Sequence, residues 1–116
     1  MAATHAPWMG TLTLTTANTA YQLSALLDAL IGDNRPLFIH SRSTQFVAIQ
    51  ADVDAGAAKL YIGNSNLSST NCGVIIYATQ VWPIYSMESN LIHLEQIYLM
   101  YDTTDGLKVN VTFLTR

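Results

Sequence analysis

The chain has 116 residues, a formal net charge of −3, and 50% hydrophobic but only 11% charged residues, against roughly 25% charged in an ordinary soluble domain. That length fits one domain with a core of its own, and the few cations (Arg35, Arg42, Lys59, Lys108, Arg116) are scattered, which argues against a basic stripe and a direct nucleic-acid footprint. So few ionic groups imply a surface shielded by other subunits, because interface cores are depleted of charge.

Residues 1–10 show no periodicity and no basic start followed by an apolar run, so they are read as an N-terminal arm rather than a signal peptide, ahead of a single domain over residues 11–116. Trp8 stands out there, because a large aromatic on an arm needs something to pack against, its own domain or a neighbour. Thr11 to Thr16 alternate as a first strand, with Leu12 and Leu14 inward. Ala20 to Ser24 can open a second strand, after which the period changes. Leu23, Leu26, Leu27 and Leu30 stand at i, i+3, i+4 and i+7, one face of a helix. A short helix is expected over residues 24–31, stopped by Gly32 and barred from continuing by Pro36. Its leucines read as a lid on the end of a sheet.

Leu37 to His40 begins an extended segment, and Ser43 to Ala51 continues it with Val47, Ile49 and Ala51 on one face. Asp52, Asp54 and Gly56 resemble the opening of a calcium loop, but the later ligands are missing and a turn is the better reading. The next strand, Lys59 to Gly63, puts Leu60 and Ile62 on one face and Lys59 and Tyr61 on the other. It breaks at Gly63 into a stretch rich in Ser, Thr, Asn and Gly that ends at Gly73. Such residues satisfy their own backbone through short side-chain bonds and build ordered loops.

Gly73 to Ala78 and Gln80 to Met87 are apolar runs of strand length. Pro83 cannot donate to a ladder, which puts the second at an edge or a bulge. Glu88 to Asn90 reads as a turn. Leu91 to Tyr101 and Leu107 to Phe113 then read as a hairpin joined by Asp102 to Gly106, the last strand alternating without error. Strands about ten residues apart with turn signals between them predict an all-β chain. The expected architecture is an antiparallel β-sandwich, jelly-roll-like, in a single domain with one short helix.

Candidate chemistry is sparse. His93 and Glu95 on one strand face could act as acid and base or as two metal ligands, yet a third ligand is needed and His5 and His40 have no fixed distance from them. The single Cys72 allows no intrachain disulfide, and a packed loop thiol is its expected role. No nucleophile elbow, phosphate loop or dinucleotide fingerprint is present, and no apolar stretch approaches the ~20 residues that span a membrane. The Asn66-Leu-Ser and Asn110-Val-Thr sequons carry weight only in a secreted chain. The expected protein is therefore not an enzyme and holds no cofactor or metal. One alternative is a carbohydrate-binding module with Tyr77, Trp82 and Tyr85 as a stacking platform.

Gln45 to Asp52, the turn after it, Lys59 to Gly73, Gln96 to Leu99 and Gly106 to Val111 together resemble a family of small structural proteins from tailed bacteriophages. The resemblance covers roughly residues 40–114. Two stretches depart from it: the Leu-rich segment 24–31 with Asp33 to Pro36 replaces a shorter turn, and residues 77–90 are more aromatic. It implies a virion protein, assembled in the host cytoplasm, that decorates and cements the head. Its partners would be the major capsid protein and further copies of itself, as a homotrimer or homodimer. A small tail part (fibre, spike or collar) is the implied alternative. The surfaces expected to carry the contacts are Trp8, the loop residues Asn64, Asn66 and Asn71, and the aromatics Tyr77, Trp82 and Tyr85.

Overall fold

The computed structural model describes residues 7–31, 43–44, 46–85 and 92–114. Among these residues are ten strands: β1 (Pro7–Leu14), β2 (Tyr21–Gln22), β3 (Ser43–Thr44), β4 (Phe46–Ala51), β5 (Leu60–Gly63), β6 (Val74–Ile76), β7 (Val81–Tyr85), β8 (Ile92–His93), β9 (Tyr98–Tyr101) and β10 (Leu107–Leu114). One helix, α1 (Leu23–Ile31), follows β2 directly. The strands form two four-stranded antiparallel sheets, ordered β1-β10-β4-β7 and β2-β9-β5-β6, with β3 and β8 as a separate pair. The chain is thus predominantly β, as the alternation implied, and compatible with an all-β sandwich.

The pairing has a simple rule. The first strand pairs with the tenth, the second with the ninth, the third with the eighth, the fourth with the seventh and the fifth with the sixth. The described strands trace one long antiparallel ribbon folded at the β5–β6 connection. Two further pairings, β10 with β4 and β9 with β5, roll that ribbon into the two sheets. Leu12, Leu14, Val47, Ile49, Val109 and Val111 of the first sheet meet Leu60, Ile62, Leu99 and Tyr101 of the second in one buried cluster. Each such side chain contributes roughly 1.5–3 kcal/mol on full burial. Leu23 and Leu27 of α1 are buried in the same cluster, whereas Leu30 is 50% exposed, so the leucine stripe closes the core with only its first turns.

Several expectations need correction. Residues 7–10 belong to β1 rather than to an arm, and Trp8 lies opposite Phe113 with ring centroids 5.2 Å apart. The segment 92–101 is broken by a 3-10 turn at Leu94–Gln96, so Glu95 lies on that turn and shares no strand face with His93. The expected hairpin is not one: β9 and β10 lie in different sheets, and Asp102 to Gly106 carries the chain across the core. Thr103 at φ 62° and Gly106 at φ 77° turn the backbone there, and Gly106 N–H donates to Leu14 O at 3.0 Å. The expected helix stop at Gly32, the Pro36 block, the 37–40 strand and the 88–90 turn lie outside the described residues, as do His5 and His40.

The two sheets differ on their outer faces. Tyr61 and Met100, which the alternation turns away from the main core, are buried under Leu67 of the following loop, with Cys72 beside them. Leu60–Ile62 and Leu99–Tyr101 are therefore buried on both faces. The outer face of the first sheet has no such cover among the described residues: Met9 is 74% and Tyr85 71% exposed.

Candidate interaction surfaces

The rolled ribbon sorts its connections into two ends. At one end lie the short ones: residues 15–20, 52–59, 77–80 and 102–106. At the other end lie α1, the loop 64–73 and the 3-10 turn Leu94–Gln96. Asp52, Asp54, Lys59, Asp102, Asp105 and Lys108 sit at the short-turn end, Asp28 and Glu95 lie elsewhere, and Asp33, Arg35, Arg42, Glu88 and Arg116 fall outside the described residues.

The short-turn carboxylates cap backbone. Asp52 accepts from Asp54 N–H at 3.3 Å, Asp54 from Lys108 N–H at 3.4 Å, Asp102 from Lys59 N–H at 2.8 Å and Asp105 from Ala17 N–H at 2.6 Å. These bonds tie the turns to one another, which fixes where each strand enters its sheet. The Asn110 amide, donating to Asp52 at 2.9 Å, is the main reason the Asp52 carboxyl is held below its ordinary range, with the Asp54 N–H second. Because the folded value is depressed, this contribution is present above the unfolded carboxyl range and fades as pH falls through the folded one. Asp102 also accepts from Tyr61 O–H at 3.4 Å, and burial followed by the Asp102 charge raises the Tyr61 hydroxyl above its ordinary value. Asp102→Ala is expected to cost about 1–3 kcal/mol, since it leaves two part-buried donors unmatched. Asp102→Asn keeps an acceptor and should recover much of it. Urea midpoints of the two variants check this, and equal midpoints would contradict it.

At the other end the loop from Asn64 to Gly73 is ordered by its own polar groups, as its composition predicted. Asn64 Oδ1 accepts from Asn66 N–H at 2.9 Å, Ser68 and Asn71 exchange backbone bonds of 2.9 and 3.2 Å, and the Asn71 amide donates to Asn66 O at 3.0 Å. Gly73 N–H then returns to Ile62 O at 2.9 Å. A Cβ on Gly73 would stand 3.2 Å from that same oxygen, so any side chain there must push the strand back by a few tenths of an ångström. Beside the loop, between the ends of the sheets, a cavity of about 410 Å³ is walled by Ile62, Val74, Trp82, Ile84, Ile92 and Ile97, with Asn64, His93 and Gln96 among its polar lining.

The seven expected contact residues do not form one patch. Asn64 and Trp82 line the cavity, and Asn66 and Asn71 lie in the adjoining loop. Trp8 is half-buried on the inner face of β1, packed against the core. Tyr77 sits in the turn at the opposite end, where its N–H is held by Gln80 Oε1 at 2.8 Å. Tyr85 packs on Phe46 across the outer face, centroids 5.2 Å apart, while Trp82 points inward from the same strand. The three-ring platform therefore does not assemble. Among the described residues no three His, Cys, Asp or Glu side chains are grouped to hold a metal ion.

No family profile, curated protein or solved structure matches this chain. Its function has to be argued from the fold and its surfaces. Sequence reading missed the cavity walls Ile84, Ile92 and Ile97 and the exposed Met9 and Val81. For β7 a signal existed: Trp82 and Tyr85 are three residues apart, and in a strand that places them on opposite faces. Among the described residues no helix is long and apolar enough to cross a membrane.

Proposed function

We propose that the chain is a non-enzymatic jelly-roll subunit of a phage virion, a decoration protein that binds an assembled shell of major capsid protein and holds it together. Nested pairing of first strand with last, rolled into two four-stranded sheets, is the topology expected of a jelly roll, an architecture that capsid domains use. The observation that carries the reading is a loop without a single charged residue, Gly63 to Gly73, ordered by its own Ser, Thr and Asn groups and lying beside an apolar cavity. A surface that is desolvated against a lattice is best built without charge. Binding a junction that exists only after assembly stabilises the assembled state by mass action. Many copies on one shell let modest contacts suffice.

The test adds purified protein to expanded shells stripped of it. Saturable binding of hundreds of copies per particle is expected, and a dozen or so would move the protein to the tail. Ser65→Arg, in the uncharged loop, should weaken binding at least tenfold, while Thr104→Arg at the short-turn end should leave it unchanged. No binding to shells by the unaltered chain would end the capsid reading.

A further inference from the structure

The two sheets have four edges, and three are blunted. β7 carries Pro83, whose missing N–H keeps another strand from pairing along it; β2 has two residues and β6 three. The fourth edge, β1, runs for eight residues from Pro7 to Leu14 with no charge, no bulge and no proline after its first position. It pairs with β10 on one side, and among the described residues no strand pairs on the other.

Register fixes which groups this edge presents. Asp52 N–H donates to Lys108 O, so the even-numbered residues of β10 turn their backbone groups toward β4. The odd-numbered residues of β4 face β7 instead, as the Thr79 N–H to Ala51 O bond of 2.7 Å shows. Alternation then bonds Val109, Val111 and Phe113 of β10 to Leu12, Gly10 and Trp8 of β1. What remains pointing outward are the N–H and C=O groups of Met9, Thr11 and Thr13, with side chains on the outer face, which is uncovered among the described residues.

We propose that this edge is covered by the same edge of a second copy, so that two chains join antiparallel through β1 into one continuous eight-stranded sheet. Outward-facing residues can pair only with outward-facing residues, so the two-fold axis must pass through a residue rather than between residues. An axis at Gly10 sets Pro7, which has no N–H, against Thr13 of the second copy, and an axis at Leu12 leaves Met9 beyond the end of the other strand. An axis at Thr11 pairs Met9 with Thr13, Thr11 with itself and Thr13 with Met9, which uses every outward donor and acceptor of the three residues. The edge therefore fits its own copy in one register. Inner-face residues then meet inner-face residues, so both sandwiches lie on the same side of the joint sheet, and Met9 stands beside Thr13 of the second copy on the outer face. This deepens the self-association within the capsid reading, but it rests on ladder geometry alone.

Sedimentation equilibrium of the purified chain decides it. The unaltered protein should dimerise. Thr11→Lys and Thr11→Glu, on an exposed face, should each keep the circular-dichroism spectrum and weaken the dimer by roughly a hundredfold, because like charges meet at the axis. An equimolar mixture of the two should dimerise again. In a Cys72→Ser background, Thr11→Cys should oxidise to a disulfide-linked dimer, since bonded pairs stand about 5.5 Å apart at Cα. Thr13→Cys, whose partner is Met9, should not. A monomeric unaltered chain, a Thr11→Lys dimer of undiminished affinity, or no Thr11→Cys link would overturn the proposal. Shell binding is read separately: monomers that still bind shells remove the dimer and keep the capsid reading, and dimers that ignore shells do the reverse.

Discussion

Gly10→Val is expected to destabilise the chain by about 3 kcal/mol, a large cost for an edge-strand position. The reason is Trp8. Both residues lie on the inner face of β1, opposite Phe113 and Val111, and the indole folds over Gly10. A Cβ at position 10 would press on the tip of the ring, 2.9 Å from Cζ2 and Cζ3, closer than real side chains approach. Valine must therefore expel the indole or force β1 away from β10. Trp8→Ala should cost a comparable amount, about 2–4 kcal/mol, because the ring also packs on Phe113 and is half-buried against the core. The two costs should not add. Once the indole is gone the space over position 10 is free, and Val suits a strand better than Gly, so Gly10→Val in a Trp8→Ala background should be close to neutral. Urea titration of the four chains gives the coupling directly. Additive losses would show that Trp8 and Gly10 act independently, contrary to this packing.

That pair also shows where sequence reading stopped short. The alternation of Leu12 and Leu14 was plain, and both are buried. Extending it backward gives Gly10 and Trp8 on the same inner face, but a glycine looks like a break, and only the geometry reveals one ring filling two positions. The Asp102–Gly106 connection misled for a different reason. Perfect alternation of Leu107, Val109 and Val111 follows from one buried face, whether the preceding strand lies beside β10 or across the core from it. A five-residue loop spans either path, so pattern alone could not separate a hairpin from a crossover. The neighbouring strands did carry a hint in Leu60-Tyr61-Ile62 and Leu99-Met100-Tyr101, apolar without interruption. Such runs mark strands buried on both faces, and the cover is Leu67, a lone apolar residue in a polar loop. The cavity was less legible still, because its walls come from β5, β6, β7, β8 and the 3-10 turn, brought together only by the rolling of the ribbon.

Tyr101 ties the two sheets of that rolled arrangement together, and its replacement has the second large expected effect. It ends β9, is 0% exposed, and donates from its hydroxyl to Lys108 O at 2.7 Å, so one side chain links the second sheet to the start of the last strand of the first. Tyr101→Ala should cost about 4 kcal/mol through the cavity it leaves, enough to unfold a marginal domain. Tyr101→Phe keeps the ring and should cost only about 1 kcal/mol, since Lys108 O retains the Asp52 N–H as a donor. The hydroxyl also carries a pH signature. Burial pushes its pKa from 10.0 up to about 12. With the folded value raised, the neutral form is the one the fold favours, so the contribution is fully present below about pH 10 and is lost as pH rises toward about 12. The raised Tyr61 adds in the same direction, while Tyr21, lowered by the hydrogen bonds of Thr15 and Thr16, opposes it. Subtracting Tyr101→Phe removes both, because they are common to the two chains. The melting-temperature advantage of the unaltered chain over Tyr101→Phe should therefore shrink between about pH 10 and 12. A constant difference across that window would mean that the hydroxyl titrates as it does in water, and that the junction between the sheets is open to solvent.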